Sequence, residues 1–272
     1  MFWVTVETMH GVNKRVHIIP TSLDEDRLEG IFEVRPDYVY ILFNGDPIEE
    51  HKDLAERTRE SAENIAKDYV IDEEDDLEPV GIDFYEFENA LAETYRILYR
   101  EKLLENEVHV NLSGGTKPVA VALAMSCSLT NTGSPYYYAA EEYDVKDGVT
   151  QTRGMIDETF ALSQLTSLDF SNTIPDEVES QNVLRWLYKS QEKMGVTELL
   201  ERYDMFDDIE NEKNRSQVRG PYYSYISQLV DKGLLSKDSD SNYEITPAGQ
   251  LVGRLLTVQK EVEENLNSDG RV

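Results

Sequence analysis

Cysteine is nearly absent from this chain: Cys127 is the one thiol in 272 residues. That excludes a disulfide framework within one chain and any metal site built on paired thiolates, and a reducing compartment is expected. Histidine is almost as scarce. His10, His17, His51 and His109 fall on scattered segments without metal-ligand spacing. His17 and His109 alternate with apolar strand residues, which predicts packing, so no metal and no cofactor is expected. No apolar run approaches bilayer-spanning length, so no membrane partner is expected. The opening MFWVTVETMHGVNKRVHIIP lacks the basic-then-apolar order of a signal peptide, and a soluble, cytoplasmic protein is expected. Internal repeats and low-complexity segments are missing as well.

Positive charge is the other deficit. There are 26 Lys/Arg against 54 Asp/Glu, a formal net charge of −28, in a chain that is still 40% hydrophobic. Disorder requires high net charge together with low hydrophobicity, and the regular apolar periodicity of this chain argues against it. Heavy acidity of a folded surface instead fits a protein kept soluble in concentrated salt, a halophile-type surface. The charge is uneven. Residues 1–174 hold 14 Lys/Arg against 35 Asp/Glu, whereas residues 175–260 hold 11 against 15. A nearly neutral region in a very acidic chain suits a surface that approaches a polyanion.

What is present is a repeated alternation of strand and helix patterns. RVHIIP (15–20), DYVYILFN (37–44), EPVGIDFYEF, EVHVNL and SPYYYAAEEY are β-prone. TSLDEDRLEGIFEV, EEHKDLAERTRESAENIAKDYV, residues 88–104 and Pro118 to Leu129 have helical spacing. This alternation predicts an α/β, Rossmann-like, mostly parallel sheet over 1–160. Ligands of such sheets bind beyond the carboxyl ends of the strands. Three polar loops fall there: Thr21-Ser22, Asn44-Gly45-Asp46 and Ser113 to Lys117. A connector (161–176) leads to helix, helix, helix and hairpin patterns over 177–260. That is the order of an α+β winged helix-turn-helix with 216–232 as recognition helix. Residues 261–272 are read as a tail. In the recognition helix, Ser216, Gln217, Arg219, Tyr222, Tyr223, Ser224 and Gln228 carry groups that contact bases and phosphates, with Arg215 just before it. The alternative is a winged helix used for dimerisation or protein contact. Pro221 either starts that helix or kinks it.

The stretch VHVNLSGGTKPVAVAL runs a strand into Asn111-Leu112-Ser113-Gly114-Gly115-Thr116-Lys117 and then a helix. Glycines allow close approach, the helix N-terminus favours an anion, and Ser113, Thr116 and Lys117 add hydroxyls and a cation. These features specify a phosphate or phosphodiester site; the plainer alternative is a tight turn capped by Thr116 with Lys117 in solvent. The spacing is not that of a Walker loop, so P-loop nucleotide hydrolysis is not expected. Ser126, Cys127 and Ser128 lie in an apolar helix with no base nearby, so no catalytic residue is expected there. Tyr136-Tyr137-Tyr138 could stack bases, yet at least one of them should face the core. Asp72 to Asp76 reads as a solvated acidic loop.

Asn111 to Lys117 after a strand resembles the signature loop of CARF domains, the CRISPR-associated Rossmann-like ligand sensors, and RVHIIPTSLDEDRL resembles their first strand and first ligand loop. With a winged helix behind it, the chain is similar to the CARF–winged-helix transcriptional regulators of archaea, the acidic haloarchaeal type nearest. The resemblance implies a homodimer with a cleft for a cyclic oligoadenylate and a palindromic double-stranded DNA site. It places Thr21, Ser22, Leu23, Asn44, Asn111, Ser113, Gly114, Gly115, Thr116 and Lys117 at the ligand. The backbone amides of Gly114, Gly115 and Thr116 would meet phosphates, and Asn111 would fix the loop. The first loop reads Thr-Ser-Leu where the family frequently carries a glycine. The other readings are a metal-independent ring nuclease acting on the same ligand and a non-enzymatic interaction protein.

Overall fold

The computed structural model of the chain describes residues 13–21, 36–45, 56–57, 60, 77–146, 149–157, 174–191, 193–195 and 223–270. It divides into two compact units, Met1–Leu165 with Arg271–Val272, and Thr166–Gly270.

The first unit is built on β1 (Arg15–Pro20), β2 (Tyr38–Asn44), β3 (Leu77–Ile82), β4 (Glu107–Asn111), β5 (Ser134–Lys146) and β6 (Val149–Asp157). The sheet order is β3-β2-β1-β4-β5-β6. β1 to β5 are parallel and β6 runs antiparallel to β5. This is a mostly parallel, Rossmann-like α/β sheet. β1 and β2 are near-continuous apolar runs, and β1 is buried from Val16 to Pro20, as expected of strands covered on both faces. The sequence reading ended the sheet at β5 and missed β6. The Asp147-Gly148 pair is a hairpin dipeptide in the sequence, but Val149–Asp157 is too polar for its pattern to mark a strand. EPVGIDFYEF is also shorter as a strand than expected. Asp83 Oδ1 accepts from the amides of Tyr85 and Glu86 and turns the chain out of β3.

Between strands lie α1 (Phe87–Leu103) and α2 (Lys117–Thr130). Both belong to crossovers that step across the sheet in the same direction, β3 to β4 and β4 to β5, so right-handed connection puts them on one face. There they meet through Thr94 Oγ1 and Ser126 Oγ, 2.8 Å apart. Ser126 is therefore a packing group. Burial pushes the Cys127 thiol up to about 12, leaving it an inert core residue.

Beneath α1 the Glu101 carboxylate, 3% exposed, accepts from the Tyr40 hydroxyl (2.6 Å) and from Asn106 Nδ2 (2.6 Å). Burial, and then the Glu101 charge, push the Tyr40 hydroxyl far above its ordinary pKa, so it acts as a donor. Tyr40→Phe is expected to cost about 2 kcal/mol, because a buried charged acceptor loses a donor that water cannot replace. A urea midpoint that does not fall would refute this.

The second unit comprises α3 (Val178–Ser190), β7 (Met194–Gly195), a helix over 223–231 (α4), β8 (Leu235–Lys237), β9 (Asn242–Ile245) and α5 (Pro247–Ser268). The strands form a small antiparallel sheet, β7-β9-β8. Val183, Leu184 and Leu187 of α3, Ile226 and Leu229 of α4, and Val252 and Leu256 of α5 share one core with Tyr243 and Ile245. β7 is too short for any periodicity to announce it. α5 runs on through residues 261–268, which the sequence reading set apart as a tail. Val262 and Leu266 continue its buried stripe, and burial of that stripe keeps the helix going.

Candidate functional site

Strand order reverses between β1 and β4, which is where Rossmann-like sheets open a crevice at their carboxyl edge. The glycine turn sits at this point and is stitched to the end of β1. Asn111 Oδ1 accepts from the Ser113 amide at 2.7 Å, closing a turn at the strand end. Gly114 lies so close to β1 that a Cβ on it would stand 2.1 Å from the Pro20 carbonyl oxygen. Gly115 has φ +69° and donates its amide to the Thr21 carbonyl at 3.1 Å. The Thr21 amide in turn donates to Leu42 at 2.7 Å, tying the first loop to β2.

Two sequence expectations change here. The Gly115 amide, expected at a phosphate, is spent on Thr21, because the turn has to be anchored to β1 to hold its shape. The Thr116 hydroxyl neither faces a ligand nor caps α2; it donates to the carbonyl of Phe84 in the β3–α1 turn. That turn is held from the other side by Asn44, whose Oδ1 accepts from the Phe84 amide at 3.3 Å. Phe84 thus joins the ends of β2 and β4, a role with no sequence signal. What remains open, among the described residues, are the amides of Gly114, Thr116 and Lys117, which find no partner within the chain. The Lys117 side chain is exposed beside them. Ser113 is buried, 6% exposed. Ser22, Leu23 and Asp46 lie outside the described residues.

Register places a second polar group behind the turn. His17 and Ile19 of β1 share a face with His109 and Asn111 of β4 and with Tyr136 of β5. Asn44 lies on the opposite face, the one carrying Tyr40 and α1. The rings of His17 and His109 are 5.0 Å apart, and Tyr136 is 6.2 Å from His17. The Asn111 amide stands beside the Tyr136 hydroxyl without completing a hydrogen bond to it. Thr21 Oγ1, Asn44 Nδ2 and both ring nitrogens of His17 are buried and unpaired as well. Burial, then the neighbouring His109 and Arg15 charges, hold His17 down to about 4. Burial raises the Tyr136 hydroxyl. Tyr136 of the triplet is buried, 6% exposed. Sequence alternation could have put each of these residues on one side of its own strand; only register aligns them.

In the second unit, Tyr223 and Ser224 are exposed at the start of α4, Tyr223 by 50%. Ser227, one turn further and also exposed, was missed by sequence reasoning although its spacing from Tyr223 and Ser224 is helical. Gln228 turns away from this face and donates its amide to the Glu177 carboxylate at 3.0 Å. The physical reason is the uncapped start of α3, where Glu177 stands as N-cap. Arg215, Ser216, Gln217, Arg219, Pro221 and Tyr222 lie outside the described residues. At the hairpin tip Asp238 accepts from the amides of Asp240 and Asn242 and pairs with Lys193 at 2.7 Å. The Lys193 hydrogen bond, then the Asn242 amide, hold the Asp238 carboxyl down to about 2.

Among the described residues no group of His, Cys, Asp and Glu could hold a metal ion, and no helix is long and apolar enough to cross a membrane.

Fold and site together define a Rossmann-like α/β unit with an amide-lined glycine turn at its switch point, followed by a small α+β unit. A family model described as HFX_2341_N:-like, N-terminal matches residues 15–143, just under half of the chain. No curated protein matches the sequence. Solved structures resemble it at low identity. Can2 from Sulfobacillus thermosulfidooxidans in complex with cyclic tetra-adenylate has 12% identity and TM-score 0.35, over 94% of this chain and 67% of its own. Enterococcus italicus Csm6 bound to cyclic hexa-2'-fluoro-hexa-dAMP has 12% identity and TM-score 0.38, over 82% and 56%. A type III CRISPR defence DNA nuclease activated by cyclic oligoadenylate has 15% identity and TM-score 0.36, over 82% of this chain and 36% of its own.

Proposed function

We propose that this protein is a ligand-responsive transcriptional regulator of the CARF–winged-helix kind. In this reading the first unit binds a cyclic oligoadenylate or a similar nucleotide, and two copies act together on a palindromic DNA site through the second unit. The observation that carries it is the set of unspent amides of Gly114, Thr116 and Lys117 beside an exposed lysine at the β1/β4 switch point. The second unit supports the DNA-binding half of the reading. Among the described residues its order is helix, short strand, helix, β-hairpin and helix, which fits a winged helix whose second helix would fall outside them, and Tyr223, Ser224 and Ser227 are exposed. The acidic surface suits concentrated salt, where phosphate neutralisation contributes little and shape and base contacts must serve instead. A binding role is preferred over ring cleavage because the hydroxyls such chemistry would use are buried in Ser113 and committed to Phe84 in Thr116.

The test is equilibrium binding of cyclic tetra-adenylate by the full chain. Lys117→Ala should weaken uptake about tenfold, the loss of one charge-assisted contact, without moving the melting temperature. No uptake by the wild type would remove the ligand, and linear products on long incubation would replace the sensor with an enzyme. Footprinting in high salt addresses the DNA: indifference to DNA at every salt concentration would end the regulator reading.

A further inference from the structure

Among the residues of the first unit whose side chains are described, the aromatic rings are buried or half-buried with one exception: Tyr85 is 46% exposed. A lone exposed ring is ordinary on a protein surface; its place here is not. Tyr85 stands in the turn from β3 to α1, at the carboxyl edge of the sheet. The Thr116 hydroxyl of the glycine turn donates to the Phe84 carbonyl. Lys117 follows one partner of that hydrogen bond and Tyr85 follows the other, so an exposed cation and an exposed ring flank a single contact. Phe84 itself is buried, and its ring lies 3.5 Å from where a Cβ on Gly115 would stand.

The turn that carries Tyr85 is held at several points. Asp83 Oδ1 accepts from the amides of Tyr85 (2.8 Å) and Glu86 (3.1 Å), the Asp83 amide donates to Asn89 Oδ1 (3.1 Å), and the Phe84 amide donates to Asn44. The same bonds engage the nearby acidic groups. The Asp83 carboxylate serves the amides of its own turn, and the Glu86 carboxylate accepts from the amides of Glu88 and Asn89 at the start of α1. Carboxylates that would otherwise repel a phosphate beside Lys117 are thereby tied to amide dipoles.

We propose that Tyr85 is the base-recognition residue of this site: its ring stacks a nucleobase while the open amides of the glycine turn and Lys117 hold a phosphate of the same ligand. This deepens the nucleotide reading given above and rests on it. Amides and a lysine recognise a phosphate on any molecule, so they do not tell a nucleotide from a sugar phosphate. A fixed aromatic face supplies that discrimination. A base brings a π surface that the rest of the ligand lacks, and stacking it on a ring whose backbone is already anchored costs little ordering entropy. A purine offers a larger face than a pyrimidine, so the site selects purines. The ring face carries the contact, and the phenolic hydroxyl is dispensable.

Equilibrium binding of cyclic tetra-adenylate and of cyclic tetra-uridylate to the full chain gives the test. The wild type should prefer the adenylate by about tenfold. Tyr85→Ser should weaken adenylate uptake by about tenfold and bring the two ligands to within about a factor of two of each other. Tyr85→Phe should retain the wild-type affinity and preference. Lys117→Ala should weaken both ligands alike and leave their ratio unchanged, because it acts on the phosphate. The ratio is read within each protein, so a variant that is partly unfolded lowers both affinities together and still reports the preference. No uptake of either ligand by the wild type would remove the nucleotide reading and the role of Tyr85 with it. Uptake whose adenylate preference survives Tyr85→Ser would keep the ligand and overturn this role alone. A Tyr85→Phe as weak as Tyr85→Ser would assign the contact to the hydroxyl and overturn stacking.

Discussion

Gly114→Ala should lower the stability of the first unit by about 3 kcal/mol and abolish ligand uptake even at temperatures where the variant stays folded. A methyl group at this position would lie 2.1 Å from the Pro20 carbonyl oxygen, a backbone atom fixed at the end of β1. A side-chain rotation cannot relieve the clash. The turn must lift away from β1, which breaks the hydrogen bond from Gly115 to Thr21. Overpacking of a rigid contact costs about 1–3 kcal/mol, and the lost hydrogen bond adds about 1 kcal/mol. Binding should suffer independently, because the unpaired amides of Gly114, Thr116 and Lys117 all lie on the turn that would be displaced. Comparison with Lys117→Ala separates the two effects: that variant removes a charge from an exposed position and should leave the urea midpoint unchanged. A Gly114→Ala midpoint equal to wild type would mean that the turn is not held on β1.

Acidification should destabilise the first unit by about 3 kcal/mol between pH 6.5 and pH 4, and removal of one imidazole should flatten most of that slope. His17 is 0% exposed, has no hydrogen-bond partner at either nitrogen, and is held down to about 4 in the folded chain. The unfolded chain takes up the proton near the ordinary value of about 6.5. Below that pH the unfolded state binds a proton that the folded state refuses, so stability is complete above pH 6.5 and is lost progressively down to about 4. A gap of about 2.5 units at 1.36 kcal/mol each sets the size. His109 lies on the same face and contacts Glu107 at 3.1 Å. Urea unfolding at a series of pH values for wild type and His17→Leu checks this. Parallel slopes for the two proteins would assign the acid sensitivity elsewhere.

The parallel sheet and the glycine turn were legible because their signals are local. β1 reads as a buried strand from apolar continuity and β2 as a strand from its β-prone residues, and Asn111 to Lys117 announce a strand, a turn and a helix start within seven residues. β6 was not legible: its hairpin dipeptide was in plain view, but an antiparallel edge strand added to a parallel sheet has no apolar pattern of its own. Gln228 was misassigned for a related reason. Helical spacing gives a residue its angle around α4 but does not say that Glu177, 51 positions earlier in the sequence, waits at the start of α3 for its amide.

By itself the sequence determined that the chain is acidic, free of internal disulfides, α/β in its first part and built around a glycine turn, since composition and short-range periodicity suffice for each of these. Only the tertiary structure decided which groups in that turn are spent and which are left for a ligand. The Gly115 amide goes to Thr21 and the Thr116 hydroxyl to Phe84, because strands distant in sequence end side by side at the switch point. The same is true of the row of His17, Asn111 and Tyr136, all buried, with the half-buried His109 beside them. Each residue's side of its own strand follows from alternation, but the row exists only because β1, β4 and β5 pair in one register.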